Sequence, residues 1–401
     1  MLHCSVAHLQ LTVLVLVSSV TGVALAQSPR GPPARSERDS FATVVFGGDV
    51  LPHASVVASV EAYGADSLLD GISDVLREAD ISLLTIDSPV TPSQPSPAPG
   101  TRFNTPSSVV DALARAGIDG IAVANNHAHD AGARGLGETL DTIEQRGIRA
   151  IGGARAGGNP MLPTIFDVHG RSLCVFAATR FVNHALPGTL ASRARVAIAR
   201  YGRPHEEQAL VDAIRAARPT CGAIFVMLHM GREYSGRPLE SDRVFCRALA
   251  AAGADAIVGD HPHVVQPMQV FNVRHRAVPV YYSLGNLVSG QGSRAELDRD
   301  PSAGTYWRRS LDARVREGVL AVIEIEPTGA RGLSVRRFGW TPVWTRNSTL
   351  DSTVRPVRIA AAFLPAAETR GDRFAVRRAV LLRTLGPSRL RPPAGLRTAA
   401  R

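Results

Sequence analysis

His261 and His263 lie two residues apart in the sequence GDHPH (residues 259–263), which directly follows a strand-like apolar run at 254–258. Because the pair comes at the end of a predicted buried strand, both imidazoles can point into one cleft. Imidazole is a ligand that suits Zn, Fe, Mn or Ni. The spacing therefore predicts a metal site, with ordinary polar loop histidines as the alternative explanation.

Other predicted strands end in residues of the same chemical kinds. In open α/β sheets, ligands collect at the carboxyl ends of the strands. Those ends supply carboxylates, an amide and further imidazoles, namely Asp49, Asp87, Asn126, His127, Asp130 and His229. Each of them, taken alone, is explained equally well as a turn residue, a helix cap or a core histidine. Together with the His261–His263 pair, they place such residues at five strand ends, which favours one shared site.

Short apolar runs alternate with helix-like patterns between residues 41 and 345. This alternation predicts an α/β domain in which central sheets are covered by helices. Strands are expected at 43–46, 81–86, 118–124, 163–168, 172–178, 223–228, 254–258, 278–283, 319–325 and 333–344. Helices are expected at 67–78, 107–116, 136–146, 206–217 and 239–251. We place the end of the domain near residue 345, followed by a C-terminal extension at 346–401.

The N-terminal residues 1–26 have the pattern of an export signal. An apolar stretch from residue 11 ends in Ala24-Leu25-Ala26, a small-x-small cleavage pattern. The stretch is short for a membrane span, but its first residues include neither Arg nor Lys. We expect an exported protein, periplasmic or extracellular, with an uncleaved membrane anchor as the alternative. Residues 27–40, rich in Pro and Arg, are predicted to be a linker.

Three of the four cysteines lie outside the predicted signal: Cys174, Cys221 and Cys246. An odd number fits no complete disulfide framework, although one bridge can form. Cys174 and Cys221 lie in or beside apolar strand-like runs, so we interpret them as small core residues.

The net charge of +10 is concentrated near the C-terminus. All 45 basic residues are arginine, and residues 327–401 contain 15 arginines against three acidic residues. Such a segment can bind an anionic polymer or a membrane surface, or it can simply be solvated. The absence of interleaved aromatic residues argues against nucleic acid as a partner.

The motifs, taken together, resemble the CapA-type capsule or poly-γ-glutamate synthesis proteins of the calcineurin-like metallophosphatase superfamily. The matching blocks are GDVL at 48–51, DSPVT at 87–91, NNH at 125–127 with Asp130 and Gly132, His229 with Gly231, Glu233 and Tyr234, residues 253–267, and YSLGN at 282–286. The resemblance implies a metallophosphatase-like sandwich of mixed sheets flanked by helices.

The same resemblance implies two divalent ions, Mn, Fe or Zn. Their expected ligands are Asp49, Asp87, Asn126, His229, His261 and His263. Asp87 would be the bridging carboxylate, and His53 is an additional ligand candidate. His127 would protonate a leaving group or stabilise negative charge, and Asp130 would orient His127. Arg232 would contact an anionic substrate, with a plain surface role as the alternative.

This chain departs from the family pattern at four positions. It has Thr85-Ile86-Asp87 where the family usually has Asn-x-Glu, so the amide becomes a hydroxyl and the carboxylate is shorter. Met230 stands where an aromatic residue is favoured, and Asp260 stands where His is common. The shorter side chain makes Asp87 the least secure of the expected ligands.

Three functional hypotheses follow. The first is a metal-dependent hydrolase acting on a phosphoester or related bond. The second is a non-catalytic accessory protein that binds or helps to export an anionic polymer, together with membrane-bound synthesis partners. The third is an anion-binding surface protein that acts through the Arg-rich extension.

Overall fold

The computed structural model describes residues 41–94, 103–186, 193–291, 313–347, 358–363 and 373–388. Two β-sheets pack face to face, and helices cover their outer sides. The contact between the sheets includes Phe46 and Phe225, whose ring centroids lie 5.8 Å apart. The prediction of an α/β sandwich of mixed sheets flanked by helices is confirmed. The predicted signal and linker lie outside the described residues.

The first sheet has eight strands in the order β16-β15-β14-β1-β2-β3-β4, with β13 paired to β1. The strands β1 to β4 and β13 are parallel, whereas β14 to β16 are antiparallel. Their bounds are β1 Ala42–Leu51, β2 Ile81–Ile86, β3 Gly120–Ala122, β4 Arg149–Ile151, β13 Asn286–Ser289, β14 Glu317–Thr328, β15 Gly332–Asn347 and β16 Ile359–Phe363. A small pair joins β5 Gly153–Ala154 to β8 Arg195–Val196.

The second sheet has six strands in the order β11-β12-β10-β9-β7-β6. Its four central strands are parallel and its two edge strands are antiparallel. Their bounds are β6 Thr164–Val168, β7 Arg171–Thr179, β9 Ala223–His229, β10 Ala256–Asp260, β11 Met268–Val273 and β12 Arg276–Tyr281. All residues of β9 and β10 are buried, as expected for parallel strands covered on both faces.

The helices are α1 Ala54–Tyr63, α2 Ser73–Glu78, α3 Ser107–Arg115, α4 Gly132–Glu144, α5 Pro204–Ala217, α6 Glu240–Ala252 and α7 Arg373–Leu385. α5 and α6 bury their apolar faces on the outer side of the second sheet. Within the described ranges, no helix has the length and apolar character needed to cross a membrane.

The helix expected at 67–78 is interrupted. A 3₁₀ turn covers Ala65–Leu68, and α2 begins only at Ser73. The cause is Gly71, which forms a parallel bridge with Ala362 of β16. A Cβ atom at Gly71 would lie 2.8 Å from the carbonyl oxygen of Ala361, so the chain approaches β16 too closely for a continuous helix there.

The first sheet continues past the domain boundary that we expected near residue 345. β15 extends to Asn347, and β16 pairs with it through Thr345 and Ala361. α7 buries Leu381 and Leu385 in the main core. The described parts of the C-terminal extension are therefore packed against the domain.

Cys174 and Cys221 are buried in the core, as expected, and they also form a disulfide bond, the one bridge that the odd number of cysteines left open. Cys174 lies on β7, and Cys221 lies just before β9, the parallel neighbour of β7. Sequence spacing gave no sign of this pairing because the two residues are 47 positions apart. Cys246 is a buried free thiol.

We expect the double variant Cys174→Ala/Cys221→Ala to lose about 2–4 kcal/mol of unfolding free energy, the usual contribution of a native disulfide. Urea unfolding with and without reductant measures this loss. Cys246→Ala is the matched control, and it should keep the same dependence of stability on reductant as the wild type. Equal stability of wild type and double variant would contradict the expectation.

Candidate metal centre

The carboxyl ends of strands from both sheets meet at one buried site. β1 and β2 of the first sheet supply Asp49 and Asp87, and the segment after β3 supplies Asn126. β9 and β10 of the second sheet supply His229 and the GDHPH sequence. The structure thus brings all six expected ligands together, and each is no more than 3% exposed.

One part of the site is formed by Asp49, Asp87 and His263. One donor atom from each lies within 4.8 Å of the other two. His263 Nδ1 lies 3.4 Å from Asp49 Oδ2, and His263 Nε2 lies 4.0 Å from Asp87 Oδ2. These separations suit side chains that surround a common ion.

The other part of the site is formed around His229. Its Nε2 lies 2.7 Å from Asn126 Oδ1 and 3.5 Å from Asp87 Oδ1. The ring of His261 lies beside that of His229, with centroids 4.8 Å apart. Asp87 therefore lies between the two parts, the place required of a bridging carboxylate.

The donor atoms fit a metal because several are buried without a hydrogen-bond partner in the described part of the chain. They are Asp49 Oδ1, both carboxylate oxygens of Asp87, His229 Nδ1 and His261 Nδ1. Polar atoms buried without partners are costly and uncommon in folded proteins. Convergent carboxylate, amide and imidazole donors of this kind suit Mn, Fe or Zn.

The electrostatics also favour a positive charge at this place. Burial, together with the nearby charge of Asp49, raises the pKa of Asp87 to about 7, although His127 opposes the shift. Burial would lower the pKa of His263, but its interaction with Asp49 raises that pKa to about 9. Burial lowers the pKa of His229 and His261 well below the ordinary value, so both are neutral, as ligands must be.

The two histidines of GDHPH are held in unusual backbone conformations. The φ angles of His261 and His263 are 99° and 57°, in the region that favours glycine. The N–H of His261 donates to Asp49 Oδ2 (3.1 Å), and His263 Nδ1 lies 3.0 Å from Asn286 Oδ1. Asn286 is fixed in turn by its amide, which donates to the carbonyl oxygen of Val315 (2.8 Å). Such support is what allows a costly conformation to persist at a functional site.

His127 and Asp130 form a hydrogen-bonded pair beside the ligands. His127 Nδ1 lies 2.8 Å from Asp130 Oδ2, which also accepts from the N–H of Phe103 (3.2 Å). Burial would lower the pKa of His127, but the hydrogen bond to Asp130 raises it above the ordinary value. The ring of Phe103 packs edge-on against His127, with centroids 4.7 Å apart. This arrangement favours the protonated imidazole and fixes its orientation.

The sequence that builds this centre matches a known protein family. The family model described as "Bacterial capsule synthesis protein PGA_cap" matches residues 43–291, more than half of the chain. The chain belongs to this family. The match covers every expected ligand, and it confirms the resemblance that the motifs predicted.

Two curated proteins are relatives of this PGA_cap family member. "PGA biosynthesis protein CapA" of Bacillus subtilis (strain 168) is 26% identical over 283 residues, which cover 70% of this chain and 71% of the relative. "Capsule biosynthesis protein CapA" of Bacillus anthracis is 22% identical over 329 residues, covering 78% and 74%. A solved structure of a hypothetical protein from Thermus thermophilus has a TM-score of 0.43 at 14% identity, covering 75% of this chain and 98% of that one.

Two of the positions where this PGA_cap family member departs from the expected pattern contact each other. Thr85 Oγ1 donates a hydrogen bond to Asp260 Oδ2 (2.7 Å). Burial, with the nearby charge of Asp49, raises the pKa of Asp260 well above its ordinary value. Another departure, Met230, lies in the core, with its sulfur 4.0 Å from that of Cys246.

The two remaining candidates occupy different surroundings. His53 is buried near the site, with Nδ1 3.4 Å from the carbonyl oxygen of Leu51 and its ring against Phe103. Arg232 is exposed in the loop after β9. Its guanidinium has no hydrogen bond or ion pair within the described residues, so the structure does not place it on the ligands.

Sequence reasoning did not assign a site role to Asn286 or Glu233. Asn286 contacts His263 directly, and a Glu233 oxygen lies within 4.8 Å of nitrogens of His261 and His263. Both belong to the sequence blocks that carried the family resemblance. That membership was the signal that could have identified them.

We expect divalent-metal affinity to rise with pH between about 6 and 9. Metal must displace the protons held by Asp87, with a pKa of about 7, and by His263, with a pKa of about 9. Both groups lose their protons as pH rises, so fewer protons compete with the metal. Below the pKa of each group, metal affinity should rise about tenfold for every pH unit and every proton that the metal displaces. Calorimetric titration with Mn²⁺ in buffers of different ionisation enthalpy measures the affinity and the protons released. A flat affinity over this range would contradict the expectation.

Proposed function

We propose that this chain is an exported protein of capsule or poly-γ-glutamate biosynthesis with a dinuclear-metal hydrolase-type site. One observation carries the proposal: buried donor atoms converge at one site, and several of them have no hydrogen-bond partner among the described residues. The chain that forms this site is a member of the PGA_cap family. The proposed ligands are Asp49, Asp87, Asn126, His229, His261 and His263, with Asp87 shared between the ions.

The chemistry proposed for the site is hydrolysis of a phosphoester or related bond. Two divalent ions, when bound, supply Lewis-acid charge and lower the pKa of water to make a nucleophile at neutral pH. His127 holds a proton that it can donate to the leaving group. Because its Nδ1 faces Asp130, the donating atom is Nε2. Asp130 is a positioning residue that keeps this orientation.

The substrate class proposed here is anionic. The names of both curated relatives refer to PGA or capsule biosynthesis. The exposed Arg232, in the loop that follows the ligand His229, has a positive charge suited to an anionic polymer or a phosphoester. Membrane-bound proteins of polymer synthesis are the proposed partners.

Export is supported by the disulfide between Cys174 and Cys221. Disulfides persist in oxidising compartments outside the cytoplasm and are rare inside it. This agrees with the signal pattern of residues 1–26.

A second candidate function is a non-catalytic accessory protein on the same fold. The observation that favours it is the names of the curated relatives, which describe biosynthesis of a polymer and no hydrolysis. In this case the metal centre would shape a binding surface, and Arg232 would act in binding alone.

Catalytic turnover distinguishes the hydrolase from the accessory protein. We expect the protein reconstituted with Mn²⁺, Zn²⁺ or Fe²⁺ to bind two equivalents of metal and to hydrolyse bis(p-nitrophenyl) phosphate. Loss of a ligand in His261→Ala should lower kcat/KM by on the order of 100-fold or more, since metal ligation and orientation are both disturbed. Steady-state kinetics and metal analysis are the measurements.

His205→Ala is the matched control, because the His205 side chain is 75% exposed on α5. It should retain wild-type metal content and turnover. If the wild type binds metal but shows no turnover with Mn²⁺, with Zn²⁺ or with Fe²⁺, the hydrolase hypothesis is excluded in favour of the accessory protein. Polymer production in cells that carry His261→Ala then tells whether the metal centre matters for that role.

A further inference from the structure

A carboxylate from the loop after β9 reaches the histidines of GDHPH. Glu233 lies four residues beyond His229 and is half-buried. One of its oxygens, with one ring nitrogen each from His261 and His263, forms a group whose members all lie within 4.8 Å of one another. None of the six expected ligands comes from this loop.

Contacts on both sides of Glu233 hold the loop against the histidines. The N–H of Tyr234 donates to the carbonyl oxygen of Pro262 (2.8 Å), the residue between His261 and His263. On the other side, the N–H of Gly231 donates to the hydroxyl of Tyr201 (2.7 Å). The backbone on both sides of Glu233 is therefore held by the fold beside the histidines.

Gly231 is the residue that allows this approach. Its φ angle is 106°, and a Cβ atom there would lie 3.0 Å from Cγ of Pro262. Only glycine combines that backbone conformation with so short a separation at little cost. Farther along the loop, the amide of Gln266 donates to the carbonyl oxygen of Ser235 (2.8 Å), which fixes the loop after Glu233 as well.

An ion bound by Asp49, Asp87 and His263 would have three protein donors. Such a shell leaves coordination positions for water and, in a five- or six-coordinate ion, for a further protein ligand. His53 was the candidate from sequence, but its Nδ1 faces the carbonyl oxygen of Leu51. Of the two donor groups formed by the described residues, neither includes His53.

We propose that Glu233 is a metal ligand, which completes the shell of the ion held by His263 in the place expected for His53. The inference rests on the proposed function, because it requires that the chain binds divalent metal. An added carboxylate increases the negative charge that holds two dications. It also adds an oxygen donor, which suits Mn²⁺ better than an imidazole does.

The test uses the full mature chain and Mn²⁺ alone as the probe. We expect Glu233→Gln, which keeps the shape and removes the charge, to weaken binding of one of the two ions by on the order of 100-fold. Electron paramagnetic resonance should then show an isolated Mn²⁺ signal in place of the coupled pair. Glu233→Asp should recover part of the affinity, because it restores a carboxylate.

Glu240→Gln is the matched control, since the Glu240 side chain is 83% exposed on α6. It should bind both ions as the wild type does. The metal-free variants are compared by thermal melting, so that a folding defect is separated from the loss of a ligand. A wild-type melting temperature together with one lost ion supports the proposal.

Two outcomes overturn the inference alone. One is that Glu233→Gln binds both ions with wild-type affinity. The other is that His53→Gln loses an ion while Glu233→Gln keeps it, which would make His53 the ligand. A wild type that binds no metal would overturn the proposed function together with this inference.

Discussion

The structure depends on one electrostatic constraint, the burial of Asp49 and Asp87 beside each other. Both are fully buried, and neither oxygen of Asp87 has a hydrogen-bond partner in the described part of the chain. An unpaired carboxylate in such surroundings is costly, and it either takes up a proton or requires a cation. The pKa of Asp87, raised to about 7 mainly by burial, expresses this cost. A centre of divalent ions would remove it, which gives a physical reason for the imidazoles that surround these carboxylates.

The two-sheet architecture is what satisfies that constraint. The first sheet contributes carboxylates and the second contributes imidazoles, so neither sheet could form the centre alone. The strand β13 connects them through Asn286, which supports His263. The backbone at β1 also packs closely against the segment before β13, because a Cβ atom at Gly48 would lie 1.9 Å from the carbonyl oxygen of Gly285. Such close backbone packing next to Asp49 favours a preorganised site.

Sequence reasoning reached the α/β class and the convergence of polar residues at strand ends because both follow from general rules, whereas the sandwich of mixed sheets and the set of six ligands came from the family resemblance. Buried parallel strands have short apolar runs in the sequence, and the polar residues at their carboxyl ends lie at the same edge of the sheet. It failed where the structure depends on contacts between distant segments. The Cys174–Cys221 pairing and the break at Gly71 are set by neighbouring strands. The hydrogen bond from Tyr234 to Pro262 helps to hold the loop of Glu233 beside the histidines. No helix or strand pattern indicates that contact, and only the family block that contains Glu233 pointed to this loop.

The hydrogen bond from Thr85 to Asp260 shows that two departures from the family pattern form one unit. A threonine hydroxyl is short, and it finds its acceptor in a carboxyl group at the end of β10. Burial, with the nearby charge of Asp49, raises the pKa of Asp260 well above its ordinary value, which favours the protonated carboxyl group. Protonation of Asp260 lessens its repulsion with Asp49 and Asp87. The paired change therefore alters the hydrogen bonding around the ligands while the proposed ligand set stays the same.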